Sequence, residues 1–213
     1  MSFWKRSNIV SNSLKYYDYL VNNINCKYVW KCDKSHILNN YKNNMSNNHL
    51  EIGPGTGYFL KKFSCNNTKL TLMDINDNIL NYSHGNLINN FKSINSINHN
   101  IFQKEFYGNY KSVGINYVLH CIPGRIEDNV QILIDNLQPK DCTIFGSSVI
   151  TDTELVSILA KGELYFLNKF QIFNNKNDKS INLIRYLKNK NYNFNYEIIG
   201  NVMIFSINFK RIR

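Results

Sequence analysis

Residues 50–57 read Leu50-Glu51-Ile52-Gly53-Pro54-Gly55-Thr56-Gly57, and this stretch decides the fold. An apolar segment leads into it, and the residues that follow, Tyr58-Phe59-Leu60-Lys61-Lys62-Phe63, have the character of a short amphipathic helix. A strand that runs into a glycine turn and then a helix exposes bare main chain to a ligand, because no Cβ atom stands in the way. The same pattern also occurs as a purely structural turn, so the rest of the chain must distinguish the two.

The spacing of the glycines indicates which ligand fits. Dinucleotide-binding folds use G-x-G-x-x-G at a helix N-terminus, but Tyr58 stands where that pattern needs its last glycine. The G-x-G-x-G run, with an acid two residues ahead, resembles the first motif of class I S-adenosylmethionine (SAM) dependent methyltransferases. In that family the turn packs against the methionine part of SAM and the acid lies near its ammonium group. The resemblance implies a cofactor loop made of Glu51, Gly53, Pro54, Gly55, Thr56 and Gly57.

A second apolar run, Lys69-Leu70-Thr71-Leu72-Met73, ends at an acid. Asp74 lies 23 residues after Glu51, close to the offset of about 20 residues at which nucleoside-binding α/β folds place a ribose-binding carboxylate. A carboxylate there can accept hydrogen bonds from both ribose hydroxyls, and Ile75 beside it would pack on the adenine. The alternative is that Asp74 caps the helix that begins near Asn76.

A third segment contains Asn116-Tyr117-Val118-Leu119-His120-Cys121-Ile122-Pro123-Gly124. It is similar to one branch of small microbial and fungal methyltransferases that act on small molecules. Weaker likenesses extend over nearly the whole chain, at Tyr17-Asp18, Val29-Trp30-Lys31-Cys32, Phe145-Gly146-Ser147-Ser148 and Phe173-Asn174-Asn175. The resemblance implies that Asn116 and Tyr117 contact the cofactor. Many members have an acid after the third strand for the adenine amino group; here we expect Gln103 to supply an amide oxygen instead.

The same segment supplies a candidate catalytic group. His120 follows a buried strand at the edge of the predicted cleft, and imidazole titrates near neutral pH, so we predict that it is a general base. The alternative is a packed or orienting histidine. Tyr17, Trp30 and Phe173, together with His120, would form an aromatic acceptor pocket, although aromatic residues in helices are more often core.

Alternating apolar runs and amphipathic segments predict an α/β fold, a Rossmann-like, seven-stranded and mostly parallel sheet with helices on both faces. We expect an antiparallel last strand, because Gly200-Asn201 joins two β runs as a hairpin. The predicted strands are 48–52, 69–74, 97–102, 113–118, 142–148, 194–199 and 202–208. The main predicted helices are 11–24, 34–45, 125–137, 151–170 and 179–188. Residues 1–46 would form a helical cap over the active site, and 47–213 the catalytic core.

Composition restricts the class of protein. The chain has 213 residues, of which 43% are hydrophobic, and a net charge of +10. The lysines are scattered, and Asn, Lys, Ile and Tyr are all favoured by A/T-rich codons, so the charge is weak support for a nucleic-acid partner. Five cysteines without a C-x-x-C pair predict reduced thiols, no metal site and a cytoplasmic protein. We expect no membrane span or secretion signal, and a monomer or homodimer.

These residues together predict a SAM-dependent methyltransferase that transfers a methyl group to a small-molecule acceptor and releases S-adenosylhomocysteine. O-methylation of a phenol-like or secondary metabolite is favoured, and N-methylation is possible. The alternatives are an RNA or protein methyltransferase and a non-catalytic SAM-binding module.

Overall fold

The computed structural model describes residues 20–63, 65–106, 108–152 and 158–209. Within these ranges seven strands form one sheet in the order β3-β2-β1-β4-β5-β7-β6. The strands are β1 (Asn48–Ile52), β2 (Cys65–Asp74), β3 (Phe91–Asn98), β4 (Ser112–Asn116), β5 (Thr143–Val149), β6 (Asn193–Ile199) and β7 (Val202–Asn208). Only β7 runs antiparallel to its neighbours, β5 and β6. The predicted seven-stranded fold with an antiparallel last strand is therefore confirmed.

Helices cover both faces of this sheet. They are α1 (Lys34–Asn44), α2 (Tyr58–Lys61), α3 (Asp77–Leu87), α4 (Ile126–Leu137), α5 (Ile158–Lys169) and α6 (Ser180–Asn189). A π-helical segment, Leu20–Val29, precedes α1. None of the helices in the described ranges is long and apolar enough to cross a membrane.

The strand order reverses between β1 and β4, because β2 and β3 continue to one side of β1 while β5 lies beyond β4. The connections after β1 and β4 therefore leave in opposite directions, and a crevice opens at the carboxyl ends of these two strands. The glycine turn follows β1 and the Leu-His-Cys segment follows β4. Topology alone thus brings the two most informative motifs of the sequence to one place.

Two apolar layers hold the helices on the sheet. One layer joins β1 and β4 to α4 and α6 through residues such as Ile115, Leu133 and Leu187. The other joins the opposite face to α1 and α3 through Tyr41 and Leu87. In α4 the buried positions repeat at helical spacing, which is why this segment forms an amphipathic helix.

One predicted strand was misplaced. The third strand was expected at 97–102, but β3 spans Phe91–Asn98. After the buried Phe91 its residues are exposed or half-buried at the edge of the sheet, and it contains no apolar run to mark it. Ile101, within the predicted range, is buried in a turn beyond the strand.

The predicted N-terminal helix, 11–24, lies largely outside the described residues, as does the beginning of the helix predicted at 151–170. Helix α1 packs on the face of the sheet, where Asn40 donates hydrogen bonds to the main-chain oxygens of Gly146 and Phe205. The division into a cap, 1–46, and a core, 47–213, stays a prediction.

Gly146→Ala should destabilise the fold. A Cβ atom at Gly146 would overlap the main-chain oxygen of Ile115 on the neighbouring strand, and overpacking of this kind costs about 1–3 kcal/mol. Gly85→Ala is the matched control, because Gly85 is exposed in α3 with open space around its Cβ position. Alanine there should stabilise the helix by roughly 0.5–1 kcal/mol. Urea unfolding of both variants measures the difference, and equal midpoints would contradict this account of the β4–β5 contact.

Candidate active site

The glycine loop has the geometry of a ligand cradle. Gly53, Gly55 and Gly57 all have left-handed φ angles, of 64°, 57° and 77°, which glycine adopts at the least cost. A Cβ atom at Gly53 would overlap the side chain of Val118, and one at Gly57 would lie 2.9 Å from Leu87. At Gly55 nothing lies within 4 Å of the Cβ position. Two of the glycines are therefore needed for packing, and the middle one faces open space.

The acid ahead of this loop is fully engaged within the protein. Glu51 is buried, and its Oε1 accepts a 2.6 Å hydrogen bond from the Tyr41 hydroxyl. Its Oε2 lies 2.9 Å from Nε2 of His49, whose Nδ1 lies 2.8 Å from Oγ of Ser112. A chain of hydrogen bonds thus links α1, β1 and β4 beneath the crevice. Both carboxylate oxygens have partners within the protein, so Glu51 stabilises the end of β1 from which the glycine loop begins.

Asp74 ends β2 at the next position along the crevice. Its Oδ1 accepts a hydrogen bond of 2.9 Å from the main-chain N–H of Asn76, and burial raises the pKa of its carboxyl to about 6. The cap of α3 is Asn76, whose side chain accepts from Asn78 N–H, so the alternative in which Asp74 caps this helix is wrong. Ile75 beside it is an exposed apolar side chain.

Asn116, at the end of β4, has an orphan donor. The residue is buried, and its Oδ1 accepts from Ser147 Oγ at 3.0 Å. Its Nδ2 is enclosed without a hydrogen-bond partner in the part of the chain that the structure describes. Tyr117 follows with a left-handed φ of 56°, and its phenol oxygen lies 3.6 Å from the thiol sulfur of Cys26. The strained, left-handed backbone at Tyr117 changes the direction of the chain directly after β4.

His120 lies in a short 3₁₀ turn, Leu119–Cys121, just beyond β4. Its ring is 3% exposed and lies 4.2 Å from the ring of Phe173, measured between centroids. Nδ1 accepts a 3.3 Å hydrogen bond from the main-chain N–H of Val149. Burial lowers the pKa of the imidazole to about 3, so the ring is neutral at physiological pH.

Three of the four residues predicted for an aromatic pocket lie together. Trp30 stacks on Phe173 at a centroid separation of 6.0 Å, and Phe173 in turn contacts His120. Trp30 and His120 are each only 3% exposed, and an acceptor pocket lined by these rings stays a prediction. Tyr17, the fourth residue predicted for the pocket, lies outside the described residues.

Other residues predicted for the cofactor lie around the loop. Thr56 is buried and its main-chain oxygen accepts from Asn86 Nδ2 at 3.1 Å, while Pro54 is half-buried within the turn. Gln103 is exposed in a turn five residues beyond the end of β3. It does not end the strand as the sequence suggested, and its contact with the adenine stays a prediction.

Sequence reasoning missed the partners of these groups. Tyr41 and His49 were not singled out, although His49 and Glu51 stand two apart on a strand and so share one face. Asn174 and Asn175 were noted only as a likeness. Asn174 donates to the main-chain oxygen of Cys121 at 3.0 Å, and Asn175 donates to that of Val149 at 3.2 Å. Residues 173–178 thereby form a strap over the ends of β4 and β5.

Tyr41→Phe should destabilise the protein by about 1–3 kcal/mol, because it leaves an oxygen of the buried Glu51 without its hydrogen-bond donor. Tyr196→Phe is the control, since Tyr196 is 46% exposed on the edge strand β6. Chemical denaturation of both variants gives the comparison. A Tyr41→Phe protein as stable as the control would show that the hydroxyl contributes nothing to the crevice floor.

In the described ranges no group of three or more His, Cys, Asp or Glu side chains is arranged to hold a metal ion.

Comparison with known proteins agrees with this geometry. No family model matches the chain. Demethylluteothin O-methyltransferase of Streptomyces thioluteus is 30% identical over 172 residues, which cover 78% of this chain and 74% of the relative. Methyltransferase ctvB of Aspergillus terreus is 28% identical over 204 residues, 90% of this chain and 88% of the relative.

Among solved structures, the O-methyltransferase NcsB1 of neocarzinostatin biosynthesis superposes with a TM-score of 0.64 at 14% identity, covering 98% of this chain. The chain spans 61% of that protein's length. The level of identity to the curated relatives, the strand order and the glycine loop at the switch point lead to one conclusion. The chain belongs to the class I SAM-dependent methyltransferases.

Proposed function

We propose that this chain transfers a methyl group from SAM to an oxygen atom of a small, phenol-like acceptor. The observation that supports this most directly is the cluster of aromatic rings formed by Trp30, Phe173 and His120, since His120 follows β4 at the predicted cofactor crevice. A flat or apolar molecule matches such a cluster. Relatives bear names such as demethylluteothin O-methyltransferase and N-methyltransferase vrtF, and NcsB1 was solved with SAM and 2-hydroxy-5-methyl naphthoic acid.

The residues of the crevice fit SAM. Gly55 leaves its main chain open to the methionine part, with Gly53 and Gly57 shaping the turn. The Asp74 carboxylate can accept from the ribose hydroxyls, and the exposed Ile75 offers an apolar surface to the adenine. Asn116 would contact the cofactor from the end of β4. Glu51 would act on the ammonium group only through the loop, because it is buried and hydrogen-bonded to Tyr41 and His49.

SAM, when bound, supplies an electrophilic methyl group on a positively charged sulfur. The contribution of the protein is then to fix the approach of the acceptor and to exclude water. Orientation of two reactants can contribute roughly 7–11 kcal/mol to lowering a barrier. The strap holds Phe173 on His120 through hydrogen bonds to the ends of both β4 and β5. Side chains held in this way keep the acceptor pocket in one shape.

We further propose that residues 1–46 complete the acceptor pocket and that Tyr17 belongs to its wall. Four cysteines are free thiols, with Cys26, Cys32 and Cys142 buried and Cys121 half-buried, as in cytoplasmic proteins. The relatives named as small-molecule methyltransferases favour a small acceptor over nucleic acid, and the protein would act as a monomer or homodimer in the cytoplasm.

The function is tested by incubating the purified chain with SAM that bears an isotopically labelled methyl group and a metabolite extract. Mass spectrometry should show one small molecule that gains one labelled methyl group. Label appearing in RNA or protein would favour the polymer methyltransferases. Calorimetric binding of SAM without any labelled product would favour a non-catalytic module.

Binding of SAM should depend on pH through Asp74. The carboxyl has a pKa of about 6, so it becomes ionised as pH rises from 5 to 7, and only then accepts two charge-assisted bonds. We expect affinity for SAM to increase by up to about tenfold over this range, because the ionised fraction of the carboxyl rises from roughly one tenth to roughly nine tenths. Asp74→Asn should bind weakly at both pH values. Asp77→Asn, at an exposed acid in the first turn of α3, is the control and should keep the parental pH dependence in calorimetry.

A further inference from the structure

The hydrogen bonds of His120 determine which of its ring nitrogens bears the proton. The main-chain N–H of Val149 can only donate, and it lies 3.3 Å from Nδ1. Nδ1 must therefore present its lone pair to Val149, and the hydroxyl of Ser148 lies 3.5 Å from the same atom. In a neutral imidazole the other nitrogen then bears the hydrogen. His120 is thus a donor at Nε2, and its one lone pair is already used.

The surroundings of His120 also oppose its protonation. The ring is enclosed between Phe173, at 4.2 Å, and Tyr117, at 6.1 Å between centroids. Burial lowers the pKa of the imidazole to about 3. To take a proton at Nδ1, His120 would have to give up the Val149 hydrogen bond and hold a charge in an apolar environment.

The neighbouring groups on the elements packed around His120 are equally unsuited to accept a proton. Burial raises the pKa of the Cys26 thiol to about 11, of the Cys32 and Cys121 thiols to about 12, and of the Tyr117 phenol well above its usual range. All four stay protonated at neutral pH. Farther out, Asp33, Lys34 and Glu163 act on Cys26 only through their charge.

Two carboxylates are further candidates for a general base. Glu51 has both oxygens hydrogen-bonded within the protein. Asp178 is buried behind Cys121, next to Glu127 and the first turn of α4, and burial raises its pKa to about 7. Asp178 therefore has a pKa suited to a base, as does Asp74 at the end of β2, which the proposed function assigns to the ribose of SAM.

We propose that the acceptor of this enzyme enters the site as an oxyanion, such as a phenolate or enolate, and that His120 meets it as a fixed hydrogen-bond donor. This inference rests on the proposed function. The acceptor oxygen forms a bond to the methyl carbon as the carbon–sulfur bond breaks, and the electron pair of that bond stays on sulfur. No proton moves in this step, so no base is required.

Electrostatics favour the same class of acceptor. Opposite charges attract more strongly in an enclosed site of low effective dielectric constant than in water. When the methyl group is transferred, the negative charge of the oxyanion and the positive charge of the sulfonium are both lost. A neutral, enclosed site is compatible with this loss of charge. A neutral amine would leave a positive charge behind. Lys34 and Lys62, both within 6 Å of the Tyr58 ring, place positive charge beside the glycine loop, where it attracts anions.

The first test is spectroscopic. Nitrogen-15 NMR of the labelled chain, with His120→Gln to assign the signal, reports the tautomer and protonation of His120. We expect a neutral ring with the hydrogen on Nε2 throughout pH 5–8. A hydrogen on Nδ1, or a titration within this range, would overturn the proposal.

The second test uses 4-nitrophenol and the less acidic phenol as acceptor probes. The methylation rate should rise with the ionised fraction of each probe, so the two pH profiles should have different midpoints. A midpoint shared by both probes would identify a base on the enzyme and contradict the inference. So would a failure to methylate 4-nitrophenolate by protein that binds SAM in calorimetry, whereas absence of SAM binding would refute the proposed function itself.

Variants separate the donor from a base. His120→Ala should lower kcat with 4-nitrophenolate by about 10–100-fold, the factor for one hydrogen bond to a charged group. His120→Gln retains an N–H donor and should stay within about tenfold of the parent. A glutamine variant as slow as the alanine variant would exclude the donor role. Asp178→Asn should leave the pH profile unchanged. Loss of the pH dependence in this variant would identify Asp178 as the base and overturn the proposal.

Discussion

The crevice of this enzyme depends on one buried carboxylate. Glu51 is out of contact with water, and a buried charge without partners costs several kcal/mol. It is satisfied only when Tyr41 from α1 and His49 from β1 both reach it, and His49 is in turn fixed by Ser112 at the start of β4. One hydrogen-bond chain thus sets α1, β1 and β4 relative to each other. The glycine loop follows directly from β1, so its position is set by the same contacts.

Above this floor the site is polar on one side and apolar on the other. On the side proposed for the cofactor lie the Asp74 carboxylate and the Asn116 amide. On the side proposed for the acceptor, aromatic rings surround a neutral histidine, and Asn174 and Asn175 hydrogen-bond to the main chain beside it. The proposed reaction, in which the charges of an oxyanion and a sulfonium are both lost, is compatible with this arrangement. The neutral, enclosed side would hold the reacting atoms, and the polar side would bind the charged groups of the cofactor.

Much of the fold could be predicted because local signals agreed with the tertiary structure. Strands β1, β4 and β5 and the Gly200-Asn201 hairpin have apolar runs with clear boundaries, and the helices have amphipathic spacing. Strand β3 was misplaced because an edge strand with polar residues has no such signal, and its pairing with β2 decides its position. Asp74 was found from its distance to the glycine loop, but its relation to the cap at Asn76 required the backbone itself.

The sequence by itself predicted the class of the enzyme, because its glycine spacing and its Leu-His-Cys segment resemble those of class I methyltransferases and the relatives confirm the family. The tertiary structure decided the role of each group. Glu51 is a structural residue because folding brings the Tyr41 hydroxyl, ten residues earlier in the chain, to its carboxylate. The tautomer of His120 follows from the N–H of Val149, 29 residues further along the chain, which donates to its Nδ1. The charge and tautomer of a side chain depend on neighbours that only folding assembles, and residue type and spacing do not specify them.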